Sequence, residues 1–177
     1  MENQVLKAIE ERCSTRFYLN EKLSEKEVMT LVKAGLQAPT ARNTKELLFT
    51  VVEGTNPVMA EVDEAIWASR NMKKPIKNFY YDAPIIIHIS ASDNIGWEGV
   101  DAGIAAENIA IAAEGMGLGS LIIGMNKMVL CGEKSAYFKE KLQIPADFTY
   151  QVCVAVGRKE KGKVPHDYDF DSQVKFI

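Results

Sequence analysis

The sequence predicts a single α+β domain. Segments whose apolar residues recur at helical spacing alternate with short, β-branched apolar runs, the pattern of helices and strands sharing one core. At 177 residues the chain suits one domain able to bury a substantial core. No internal repeat and no shift in composition marks a boundary within residues 1–177.

Val5, Leu6 and Ile9 recur at helical spacing among charges and predict a first helix over residues 2–11. Ser24-Glu25-Lys26-Glu27 has the form of a capping box, in which hydroxyl and carboxylate satisfy free backbone donors at a helix start. Val28, Leu31, Val32 and Leu36 mark that helix's apolar face, and Pro39 ends it. The continuous run from Leu47 to Val52 predicts a buried strand. Asn56-Pro57 predicts a cap and first turn for a third helix, with Val58, Val62, Ile66 and Trp67 on its face. Pro84 opens a second buried strand, Ile85-Ile86-Ile87-His88-Ile89, in which His88 reads as a satisfied core histidine.

Residues 101–116 form the most apolar helical stretch, with alanine at 102, 105, 106, 110, 112 and 113. Small side chains around most of its circumference let other backbones approach, which places it at the centre of the fold or at a subunit interface. A short strand over 119–123, a helix over 133–142 and a strand over 150–156 follow. The last four residues, Val174-Lys175-Phe176-Ile177, are β-prone.

Lys and Arg total 21 against 24 Asp and Glu, a formal net charge of −3. That balance offers no general attraction to nucleic acid or to an acidic membrane. Cys13, Cys131 and Cys153 are widely spaced, and His88 and His166 lie far from any Cys partner, so neither a disulfide framework nor a zinc site is predicted. The start lacks a basic flank and apolar signal core, and acids interrupt the longest apolar stretch, so a cytoplasmic protein is expected.

Four segments carry candidate chemistry. Arg12-Cys13-Ser14-Thr15-Arg16 sets two guanidiniums about a hydroxyl, which suits an anion with several oxygens; on spacing alone, a solvated loop with its arginines paired to Glu10 and Glu11 is the commoner reading. Ala38-Pro39-Thr40-Ala41-Arg42-Asn43 would let a planar ligand lie against backbone, or is an ordinary helix terminator and turn. Gly115-Met116-Gly117-Leu118-Gly119-Ser120 closes a helix and opens a strand, the reverse of a dinucleotide loop, so a left-handed helix cap is expected instead. Gly124, just past the strand, could face a ligand with its N–H. Arg158-Lys159-Glu160-Lys161-Gly162-Lys163 could complete an anion site or form a solvated loop.

In order and spacing, these segments resemble the nitroreductase family of FMN-dependent oxidoreductases along nearly the whole chain. Arg12-Cys13-Ser14-Thr15-Arg16 resembles its R-R-S-x-R, with Cys13 in place of the second arginine, and Ala38–Asn43 resembles its A-P-S-x-x-N. Asp101 to Asn108 resembles the D-x-G-x-A-x-x-N helix, Gly117-Leu118-Gly119-Ser120 the following G-L-G-S, and Val154-Ala155-Val156-Gly157 the last strand. Two departures stand out: Asn43-Thr44-Lys45-Glu46-Leu47 replaces N-x-Q-P-W, and no long insertion follows the second strand.

The resemblance implies a mixed, mainly antiparallel sheet surrounded by helices, in a homodimer with FMN at the interface and residues 174–177 adding a strand to the partner's sheet. It implies that Arg12, Cys13 and Ser14 line the phosphate and ribityl side, that Arg16 reaches the pyrimidine edge, and that Arg158 or Lys161 completes the anion site. Pro39, Thr40, Ala41 and Asn43 would come from the partner, while Leu121, Ile122, Ile123 and Gly124 lie beside the ring. The implied activity is hydride uptake from NADH or NADPH and ping-pong reduction of nitroaromatic, quinone or similar small acceptors, with no protein nucleophile. A flavin-binding redox sensor or flavin store is the alternative, as is a non-flavin dimer binding another phosphorylated metabolite.

Overall fold

The computed structural model describes residues 3–70, 77–92, 96–165 and 167–177. Helix α1 spans Gln4–Glu11, α2 Glu25–Leu36, and a 3-10 turn Ala41–Asn43 precedes strand β1, Leu47–Glu53. Then come α3 (Pro57–Ser69), β2 (Ile85–Ser92), α4 (Glu98–Gly115) and β3 (Leu118–Ile123). The short α5 (Lys127–Leu130), α6 (Ser135–Lys141), β4 (Phe148–Arg158) and α7 (Phe170–Gln173) complete the chain.

The strands form one antiparallel sheet in the order β1-β2-β4-β3. Successive side chains of β2 enter opposite faces, as the pleat requires. Ile85, Ile87 and Ile89 pack with Leu31 of α2 and with Ala102, Ala105, Ala106, Ile109 and Ala113 of α4. Ile86 packs on the other side with Val58, Met59, Val62 and Ile66 of α3 and with Leu130 and Phe138. The sheet is thus the middle of three layers, which is why its two central strands are apolar on both faces.

Local signals hold where the backbone demands them. Ser24 accepts from the Glu27 N–H while the Glu27 carboxylate accepts from the Ser24 N–H, closing the capping box. Asn56 caps α3 with Pro57 in its first turn. Gly117, at φ +72°, ends α4 in the left-handed region and lets the chain turn into β3. Among the described residues no helix is long and apolar enough to cross a membrane.

Three differences from expectation stand out. β1 is an edge strand and only Val52 is buried, because it pairs with β2 alone. α4 begins at Glu98, one turn early, with Glu98 and Asp101 at its positive N-terminal end. α5 was not predicted, since four residues carry no period. Residues 174–177 form no strand within their own chain, although Val174 is extended at φ −119°, ψ 135°.

His88 is fully buried, but among the described residues neither ring nitrogen has a hydrogen-bond partner, so it is not the satisfied core histidine expected. His166 lies outside the described residues. Burial lowers the His88 imidazole from 6.5 to about 3. The neutral ring is accommodated, so its stability contribution is full above pH 6.5 and is lost as pH falls toward 3, where only the unfolded chain binds the proton. Each pH unit in that window should cost about 1.4 kcal/mol. Urea unfolding at several pH values should show this slope in the native protein and lose that share of it in His88→Leu.

Candidate functional site

The segment after α1 lies across the ends of β3 and β4. Thr15 N–H donates to the Ser120 carbonyl at 2.8 Å, and Ser14 forms a parallel bridge with Ser120. Leu19 N–H then donates to the Arg158 carbonyl, and Glu160 N–H to the Phe17 carbonyl, each at 3.0 Å. Gly119 makes the first contact possible: a Cβ there would stand 2.5 Å from Thr15 Oγ1. Two of the predicted segments, at 12–16 and 158–161, are therefore gathered at the end of the sheet where β3 begins and β4 ends, while 121–124 runs toward the opposite end, Leu121 pairing with Ala155 and Ile123 with Cys153.

Because the segment is extended, its side chains alternate. Cys13 and Thr15 are buried, whereas Arg12, Ser14 and Arg16 are half-buried on the other side. Cys13 thus belongs to the packing beneath the motif rather than to its more exposed side. Along β3, Leu121 and Ile123 are buried in the core, so only Ile122 and Gly124 expose side-chain positions.

The cations divide into paired and free groups. Arg12 Nε lies 3.0 Å from Glu107 of α4. Arg158 is committed to Glu21 at 3.1 Å and Glu27 at 3.0 Å, and Lys159 pairs with Glu114. The Glu27 carboxyl is held below its usual range, first by its bonds from the Ser24 hydroxyl and N–H and then by Arg158. Arg16, Lys77 and Lys161 have no carboxylate partner among the described residues. Arg16 stands 5.9 Å from the centre of the Tyr81 ring, while Lys77 and Lys161 lie 4.8 and 5.3 Å from that of Phe17. Lys77 was not predicted, because charge alone does not distinguish it from other surface lysines.

The 39–43 loop is elsewhere. Ala41 N–H donates to Asp101 Oδ2 at 2.7 Å, and Lys45 N–H to Thr40 Oγ1 at 3.1 Å. Arg42, Asn43 and Lys45 adopt φ of 56°, 54° and 55°, a strained left-handed run. Pro39, Thr40, Asn43 and Lys45 line a cavity of about 510 Å³ with Leu47 and Phe49. Glu46, where the family motif departs, is buried and accepts from the Thr44 hydroxyl.

Helix α4 measures the separation. Asp101 holds the loop, Glu107 holds Arg12 and Glu114 holds Lys159. At 1.5 Å per residue, Asp101 and Glu114 are about 20 Å apart along the axis. Pro39, Thr40, Ala41 and Asn43 are therefore not brought to the basic end within one chain.

A three-layer α+β fold, its cationic end beside β3 and its strained loop at the far end of the central helix, defines the nitroreductase-like class. The Nitroreductase family model matches residues 9–158, and the chain belongs to that family. A nitroreductase with bound FMN from Desulfitobacterium hafniense DCB-2 is 25% identical, with a TM-score of 0.90 and 100% of each chain covered. An FMN-bound nitroreductase from Bacteroides fragilis NCTC 9343 is 23% identical, with a TM-score of 0.89 over 99% of this chain and 100% of that one. An FMN-dependent nitroreductase from Clostridium difficile R20291 is 24% identical, with a TM-score of 0.82 and full coverage of both chains. Comparison with curated proteins gives no match.

Asp101→Ala should release the loop without unfolding α4. A hydrogen bond to a charged group contributes about 1.5–3 kcal/mol, so the Ala41 amide should exchange roughly tenfold to a hundredfold faster. Amide hydrogen exchange measures this directly.

Proposed function

We propose that this protein is an FMN-dependent oxidoreductase that takes hydride from NADH or NADPH and reduces nitroaromatic, quinone or similar small acceptors by a ping-pong mechanism. The observation that carries this reading is the set of cations without a carboxylate partner among the described residues, Arg16, Lys77 and Lys161, at the end of the sheet where β3 begins, with Ile122 and Gly124 exposed further along that strand. FMN, when bound, supplies the two-electron chemistry. FMN in related structures supports the same assignment.

Arg12 and Ser14 hold phosphate and ribityl oxygens, and Arg16 reaches the pyrimidine edge. Lys161 completes the anion site in preference to Arg158, whose charge is already balanced by Glu21 and Glu27. Ile122 packs beside the ring, and the Gly124 N–H donates toward it. Positive charge from Arg16 favours the anionic form that reduction produces. Lys77 adds a further cation to this end.

The working unit is a homodimer in the cytoplasm. Pro39, Thr40, Ala41 and Asn43 reach the site from the partner, which resolves their separation along α4. Exposed Val5, Leu6 and Ile9 of α1 and Val100 and Ile104 of α4 supply apolar surface for that contact. The outer edge of β3 meets Ser14, so β1 is the open edge, and the partner's residues 174–177 add a strand there.

The purified protein should show flavin absorption, or acquire it with FMN, and the bands should bleach with NAD(P)H in the absence of oxygen. Persistent bands would indicate a flavin store or sensor; no bands after incubation with FMN would overturn the reading. Arg16→Ala should lower the potential of bound FMN by about 30 mV, a tenfold change for a two-electron couple. Dye equilibration measures it, and an unchanged potential rules out that role.

A further inference from the structure

Behind the turn that follows β3 lies a buried polar group that the proposed activity does not use. Asn126, Tyr150 and Cys153 are completely buried and Tyr80 nearly so. Asn126 Nδ2 donates to Cys153 Sγ at 3.5 Å, and the Cys153 S–H donates to the Ile123 carbonyl at 3.7 Å. The Tyr80 and Tyr150 hydroxyls lie against Asn126, and Tyr150 also against Cys153, but among the described residues neither hydroxyl nor Asn126 Oδ1 has a partner in good hydrogen-bond geometry. The core therefore places polar groups at a cost behind one short piece of backbone.

That backbone is the Ile123–Gly124 peptide. Its carbonyl faces the thiol, and a trans peptide directs carbonyl and N–H oppositely. The Gly124 N–H has no acceptor among the described residues, while the Gly124 carbonyl accepts from Lys127 N–H at 3.1 Å. A Cβ on Gly124 would meet no atom within 4 Å, and its φ is not positive, so neither packing nor conformation requires glycine there. What its absence of a side chain leaves open is the space above the N–H.

We propose that Cys153, held by Asn126, is a positioning residue that anchors the Ile123 carbonyl inward and so aims the Gly124 N–H outward at the flavin ring. The inference rests on the flavin reading given above. Burial pushes the Cys153 thiol up to about 12, which keeps the proton available for donation at neutral pH. The thiol acts through the peptide alone and touches neither cofactor nor substrate.

Two variants separate donation from packing: Cys153→Ala removes the donor and leaves space, whereas Cys153→Val removes it and fills the space. In the flavin-free protein, the Gly124 amide order parameter should fall in both from about 0.85 to below about 0.6. With FMN bound, both should lose about fivefold in affinity for reduced relative to oxidised flavin, the scale of one hydrogen bond. That ratio lowers the two-electron potential by about 20 mV. A wild-type amide and potential in either folded variant, or a change in Cys153→Ala alone, would overturn the assignment. If the wild type takes up no FMN, the flavin reading and the aim at the ring fall together, while loosening of Gly124 in both variants would still establish the anchor.

Discussion

The contact on which the structure depends is the close approach of α4 to the sheet. Ala102, Ala105, Ala106, Ala110 and Ala113 are completely buried, and each buries little apolar area. Their value is proximity: small side chains bring the helix axis near β2 and β4, where many weak dispersion contacts add. A helix so fixed becomes a rigid ruler. Its polar residues then hold other segments in place, Asp101 the strained loop, Asn108 the end of α2 through the Ala34 carbonyl, Glu107 the first arginine motif, and Glu114 the chain after β4.

The same acids shape the electrostatics. A chain with net charge −3 has no broad positive field, yet one end of its sheet holds three cations without carboxylate partners among the described residues. The structure achieves this by pairing neighbouring cations selectively. Arg158 and Lys159 are balanced locally, while Arg16, Lys77 and Lys161 have no carboxylate partner among the described residues. At physiological ionic strength screening sets in within about 8 Å, so such local arrangement matters more than total charge.

Much of this was legible along the chain wherever the determinant was local. Ser24 and Glu27 specify a helix start within four residues, and Pro84 with the isoleucine run specifies a central strand. What depended on distant pairing was not. Nothing near Arg158 in sequence reveals that Glu21 and Glu27 will neutralise it, nor does the Leu47–Val52 run reveal that its strand will have a neighbour on one side only. The first arginine motif was visible by residue type, but the inward turn of Cys13 follows from the bridge between Ser14 and Ser120. Lys77 gains meaning only through Phe17, sixty residues earlier, whose ring Lys161 also approaches.

The separation imposed by α4 has a genetic consequence. Under the proposed arrangement, each site draws Arg16 from one chain and Asn43 from the other. Pair a chain defective at Arg16 with one defective at Asn43, and both lesions fall in the same site. The second site then receives an intact residue from each chain. Two alleles that are each inactive as homodimers would thus complement when co-expressed, restoring half the sites in every mixed dimer.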